Sequence, residues 1–121
     1  MEFNSNQPIY MQIIRLVENR LINQEWQAGQ KVPSVREFAL ELRVNPNTIQ
    51  RAYMELERQG LIFSKRGMGN FVTEDTQKIT SLFNTIAQEK VNNFIQEMAE
   101  IGFSKEEVVE LIKNKQEAGE K

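Results

Sequence analysis

The chain contains no cysteine and no histidine. Their absence removes disulfide bonds, thiol nucleophiles, imidazole bases and the usual zinc ligand sets together. Any catalysis would fall to carboxylates, lysine, tyrosine or serine. No run of about 18 apolar residues occurs, so no membrane contact through a spanning helix is expected. The start, Met1-Glu2-Phe3-Asn4-Ser5-Asn6, lacks the basic and apolar regions of a signal peptide, and a cytoplasmic protein is the expectation. Internal repeats and low-complexity tracts are missing too. What remains is 121 residues, 40% hydrophobic and 26% charged, which suits one folded domain with a short appendage and excludes a large multi-domain enzyme.

The net charge of -2 conceals a split. Residues 1–73 carry nine Lys/Arg against seven Asp/Glu, whereas residues 74–121 carry six against ten. Between residues 31 and 70 the count is seven basic against four acidic. A pI near 5.3 runs against the basic character of most nucleic-acid-binding domains, so such a function must rest on where the charges point.

Ile9, Ile13, Leu16, Val17 and Leu21 recur at helical spacing and predict a helix from about Pro8 to Asn23. A loop over residues 24–32 follows. Ser34 and Glu37 form a capping-box pair that opens a second helix through Val35, Phe38, Ala39 and Leu42. After a break at Arg43-Val44-Asn45-Pro46, a third helix is expected from Asn47, as N-cap, to Gln59, with Gly60 as left-handed stop. Leu61-Ile62-Phe63 and Phe71-Val72-Thr73 read as strands joined by a turn containing Gly67 and Gly69. A long helix from about Thr76 to Ile101 carries a broad apolar face, Gly102 ends it, and Ser104 with Glu107 caps a last helix.

This order is mainly α with a small β-hairpin: a winged helix-turn-helix over residues 1–75, followed by a two-helix dimerisation segment over residues 76–121. At 100° per residue, Ile49, Ala52, Tyr53 and Leu56 share the inner side of the third helix. Asn47, Arg51, Met54 and Arg58 fall opposite, with Thr48 and Gln50 near the helix start. These amide, hydroxyl and guanidinium groups suit base edges and phosphates in a major groove. Lys65 and Arg66 at the hairpin tip suit a phosphate backbone or minor groove.

The runs Val32-Pro33-Ser34-Val35-Arg36-Glu37-Phe38-Ala39, Val44 to Leu61, and Arg66-Gly67-Met68-Gly69-Asn70-Phe71-Val72 resemble the DNA-binding domain of GntR-type bacterial transcription regulators. Gln7-Pro8-Ile9-Tyr10-Met11-Gln12-Ile13 resembles the first helix of that family, and the Val-Asn-Pro-Asn-Thr turn with the short helical tail resembles its YtrA subfamily. The resemblance implies contacts to double-stranded operator DNA at Arg36, Asn45, Asn47, Thr48, Gln50, Arg66 and Gly67. With Ser34, Lys65 and, from the helical projection, Arg51, these form the candidate DNA-binding set. Family members often have glycine at the Arg43 position, arginine at the Pro46 and Gln50 positions and threonine at Asn70, so no operator sequence transfers.

About 48 residues after the wing bury too little surface to stand alone. Their apolar face is expected to pack on the winged domain and on a second copy, through Phe83, Ile86, Val91, Phe94, Met98 and Leu111, giving a two-fold homodimer on a roughly palindromic operator. Two helices leave little room for a ligand cavity, so no tight cofactor is expected, and a small-molecule effector would act weakly or through the dimer interface. No catalytic or metal-binding residue is assigned. Several residues also have plainer readings: Arg51 as a partner of Glu55, the two glycines as turn formers, Asn45 and Asn47 as turn and cap residues, Trp26 as packing over the loop, and Glu106, Glu107 and Glu110 as a solvated face. The leading function is transcription regulation by blocking polymerase. A winged-helix protein-interaction module without DNA binding is the alternative, and an enzyme comes third.

Overall fold

Ser34 begins the helix-turn-helix by satisfying two backbone groups reciprocally. Its hydroxyl accepts from the Glu37 amide at 3.0 Å, and the Glu37 carboxylate accepts from the Ser34 amide at 2.8 Å. The computed structural model describes residues 3–119. Its elements are α1 (Ile9–Ile22), α2 (Val35–Leu42), α3 (Pro46–Arg58), β1 (Ile62–Lys65), β2 (Gly69–Val72), α4 (Thr76–Glu100) and α5 (Lys105–Gly119).

The N-cap of α3 lies two residues before the expected one. Asn45, rather than Asn47, is the N-cap: its side chain accepts from the Asn47 amide at 2.8 Å, and Pro46 is the first helical residue. Proline has no amide hydrogen to leave unsatisfied there, and its ring sets the helical φ in advance. The hairpin strands also run further toward the turn than the apolar runs suggest, with Phe63 opposite Phe71 and Lys65 opposite Gly69. Arg66, Gly67 and Met68 alone make the connection. The Met68 amide donates to the Lys65 carbonyl at 2.9 Å, and Gly67 has φ +77°, the position of a type II turn that needs glycine. The loop before α2 adds to β2: Val72 donates to Gln30, and Val32 to Asn70, at 2.8 and 2.9 Å.

The core of the winged part joins Ile13, Val17 and Leu21 of α1 with Phe38 and Leu42 of α2, Ile49, Tyr53 and Leu56 of α3, and Ile62 and Val72 of the hairpin. Each of these large side chains contributes roughly 1.5–3 kcal/mol by leaving water. Trp26 does more than cover its loop. It is buried with its ring centroid 5.5 Å from that of Phe38. The Tyr53 hydroxyl donates to the Pro33 carbonyl at 2.7 Å, which fixes α3 to the residue preceding the α2 cap. Burial pushes the Tyr53 phenol well above its ordinary pKa.

Arg43 closes α2 in the left-handed conformation, φ 58°. A side chain there costs about 1–2 kcal/mol in an L-residue, of which the extra backbone entropy of glycine would take back about half. Arg43→Gly is therefore expected to raise the thermal midpoint by a few degrees. A lowered midpoint in a melting experiment would contradict this origin of the strain.

By compactness the chain divides into two units after Phe83. Ile79 and Leu82 of α4 pack against the winged core, so the first two turns of α4 belong with that unit. In the second unit Ser104 and Glu107 cap α5 as α2 is capped, with bonds of 2.9 and 3.1 Å. Among its described residues only Ile86 and Val108 are buried hydrophobics.

Both capping carboxyls, Glu37 and Glu107, are held below the usual carboxylate range, first by the backbone bond from Ser34 or Ser104. A depressed folded-state pKa stabilises above the unfolded value and loses that contribution as pH falls through the folded one. Helix content and thermal midpoint should therefore decline on acidification below about pH 4.5. The double variant Glu37→Gln/Glu107→Gln, which keeps a cap acceptor but does not titrate, should show a shallower decline. Superimposable pH profiles would refute the assignment.

Candidate nucleic-acid interface

All ten candidate DNA-binding residues lie in the winged unit, and none has a buried side chain. Ser34, Arg36, Asn45, Asn47, Gln50, Arg51, Lys65, Arg66 and Gly67 are exposed, and Thr48 is half-buried. The inner residues of α3 are sealed, with Ile49, Ala52 and Leu56 fully buried. The amphipathic projection of α3 therefore matches the structure. The Asn45 side-chain carbonyl oxygen accepts from the Asn47 amide, and an asparagine so engaged still has its NH2 group to donate.

The acids near this surface each have a neighbour within hydrogen-bond or ion-pair distance. Glu41 pairs with Arg20 at 3.3 Å, the Glu57 carboxylate lies 3.2 Å from the Ser64 hydroxyl, and Glu37 is engaged by the α2 cap. Glu55 accepts from the Arg58 Nε at 3.0 and 3.1 Å and from the Gln59 side chain at 3.2 Å. These bonds hold the Glu55 carboxyl below its ordinary pKa, Arg58 first. Arg58 is thus neutralised at the C-terminal end of the outer face, and the suggested Arg51–Glu55 pair does not form. Arg51 instead stacks on Tyr10, its guanidinium carbon 3.8 Å from the ring centroid.

Among the described residues, no ion pair includes Arg36, Arg43, Arg51, Lys65 or Arg66. These five cations are all exposed. On the wing, Lys65 lies 4.7 Å over the Phe71 ring, and the Phe63 and Phe71 rings stack 5.9 Å apart. A Cβ built on Gly67 would meet nothing within 4 Å, so the tip is open and glycine serves the turn there. Asn70 accepts from the Ser64 hydroxyl at 2.8 Å.

A model of bacterial regulatory proteins of the GntR family matches residues 9–72. The chain belongs to the GntR family. It is similar to the HTH-type transcriptional regulator YhcF of Bacillus subtilis, 42% identical over 118 residues that cover 98% of each protein. It is also similar to the HTH-type transcriptional repressor YtrA of Bacillus subtilis, 37% identical over 112 residues, 90% of this chain and 85% of that one. A GntR family transcriptional regulator from Listeria monocytogenes superposes with a TM-score of 0.86 at 43% identity, over 93% of this chain and 98% of that one. The DNA-binding domain of AraR in complex with operator ORR3 superposes with a TM-score of 0.54 at 27% identity, over 60% of this chain and 88% of that one. This GntR protein is of the YtrA type, a DNA-binding transcription regulator and not an enzyme.

In the second unit, Val91, Phe94 and Leu111 are 55%, 43% and 44% exposed. Phe94, Met98, Val108, Leu111 and Ile112 line one apolar groove between α4 and α5. Ile86, expected on the dimer face, is only 6% exposed and so is already covered within one chain. Phe83, the last residue of the first unit, is half exposed and borders a cleft of about 490 Å³ with Leu21, Trp26 and Ile79. A cleft of that size is within the range of small-molecule sites. Its walls come from α1, the Trp26 loop and the first turns of α4. No helix of the described residues is long and apolar enough to cross a membrane. Glu106 and Glu110 are exposed, and no three acidic residues gather at one point among the described residues.

Proposed function

We propose that this regulator represses transcription as a two-fold homodimer on a roughly palindromic operator. The carrying observation is the outer face of the N-terminal half of α3, where amides and a guanidinium are exposed and unpaired with any acid among the described residues, while Glu37, Glu41 and Glu55 are bonded to other neighbours. On this reading Asn47, Thr48 and Gln50 face base edges. Ser34, Arg36, Asn45 and Arg51 grip phosphates beside them, and Lys65, Arg66 and Gly67 of the wing follow the backbone or minor groove. The complex of AraR with its operator supports the same placement by likeness of the winged domain.

Dimerisation is supported by the second unit, which buries only Ile86 and Val108 among its described hydrophobic residues and leaves Val91, Phe94, Leu111 and Ile112 open. So small a core does not hold two helices together without a partner surface. A second copy offers the same face, and two-fold symmetry makes it self-complementary. The repressor named YtrA supports the direction of regulation, with polymerase excluded from an occupied operator.

The test is selection of bound fragments from random DNA together with solution mass. Two inverted half-sites and a mass of two chains are expected, and Asn47→Ala or Gln50→Ala should alter the selected bases. Recovery of DNA without sequence enrichment, or a single-chain mass at binding concentrations, would overturn the proposal.

A further inference from the structure

Of the exposed arginines of this surface, Arg51 is the one held over an aromatic ring among the described residues. Tyr10, at the first turn of α1, packs against the core and presents its ring to the guanidinium 3.8 Å away. Stacking uses the flat face of a guanidinium, whose five N–H donors lie in its plane. The donor edge therefore stays open to an acceptor. None of the ion pairs among the described residues includes Arg51, and the first turn of α1 contains no acidic residue.

The direction of this tether decides what Arg51 can reach. An arginine that reads guanine must extend from its helix to the groove floor. Arg51 is instead tethered to Tyr10 of α1, and a guanidinium so held is not free to extend straight out from α3. A planar donor edge at that place matches two phosphate oxygens better than a base.

We infer that Tyr10 is a positioning residue for DNA binding: it holds Arg51 over its ring so that the guanidinium clamps a backbone phosphate beside α3 and does not read a base. This rests on the DNA-binding reading and deepens it. Ordering the arginine before association also removes part of the rotamer entropy otherwise lost on binding.

The test measures operator affinity against salt for the wild type, Tyr10→Phe, Tyr10→Leu, Arg51→Ala and Tyr10→Leu/Arg51→Ala. Leucine keeps the apolar packing and removes the ring, and phenylalanine keeps both. Arg51→Ala should weaken binding by the same factor on selected and scrambled DNA, with a salt slope shallower by about one per protomer. Tyr10→Leu should cost about two- to fivefold per protomer in the wild type and almost nothing beside Arg51→Ala. Tyr10→Phe should retain wild-type affinity. In the free protein, the Arg51 side-chain protons should show an upfield ring-current shift that Tyr10→Leu abolishes.

Equal losses from Tyr10→Leu in both backgrounds, a change of base preference in Arg51→Ala, or the absence of the ring-current shift would each overturn the inference. If Arg66→Ala also left the salt slope untouched, the DNA-binding reading itself would fail instead.

Discussion

Replacing Arg66 with alanine is expected to weaken operator binding by on the order of sixtyfold at ~0.1 M salt. Each phosphate neutralised on duplex DNA contributes a slope of about 0.9 in log affinity against log salt, close to one decade at that concentration. A dimer loses two such contacts at once. Arg66 stands at the open tip of a three-residue turn, unpaired among the described residues, with Gly67 beside it offering no steric bulk. The loss should be uniform across DNA sequences, and the salt slope should become shallower by about two. Arg36→Ala should behave alike, since Arg36 is exposed in the first turn of α2. Unchanged affinity and slope in a titration series would remove the wing from the interface.

Phe94→Asp is expected to reduce operator affinity by at least about a hundredfold and to halve the solution mass. The large effect comes from geometry. Two joined recognition helices bind with an effective concentration that adds on the order of 10² to 10⁴ over a single one. Phe94 is 43% exposed on one chain and lines the groove with Met98, Leu111 and Ile112. A carboxylate brought into a paired face would be desolvated without a partner, which the association could not offset. The winged unit should remain folded, and Trp26, buried against Phe38, reports on that by its fluorescence. A variant that keeps the mass of two chains would move the interface off the α4–α5 groove.

Most of the architecture was legible because local signals agreed with one another. The capping boxes at Ser34 and Ser104, the glycine stops at Gly60 and Gly102 and the inner stripe of α3 all have short-range causes, and all are present. The error at Asn45 was also local. Proline disfavours helical geometry for the residue before it yet serves well as the first helical residue itself, which moves the cap from Asn47 to Asn45.

What escaped the sequence lies in contacts between distant elements. A helical projection sends Arg51 outward but cannot show that Tyr10, on another helix, catches it. Counting charges shows a small excess, whereas the fold gives Glu37, Glu41 and Glu55 bonded neighbours and leaves Arg36, Arg43, Arg51, Lys65 and Arg66 without an ion pair among the described residues. Ile86 looked like its neighbours on the apolar stripe of α4, and burial of a single position cannot be read from periodicity. The extra pairing of residues 29–32 on β2 comes from a stretch that carries no strand pattern.

Chemical protection of guanine N7 on a selected operator examines the central claim most directly, because that atom is reached only through the major groove. The expected result is two protected patches, centred about one helical turn or a whole number of turns apart. Both patches should be lost together in Phe94→Asp and should move to other bases in Gln50→Ala. An unprotected major groove, or one protected patch bound by a single chain, would contradict it.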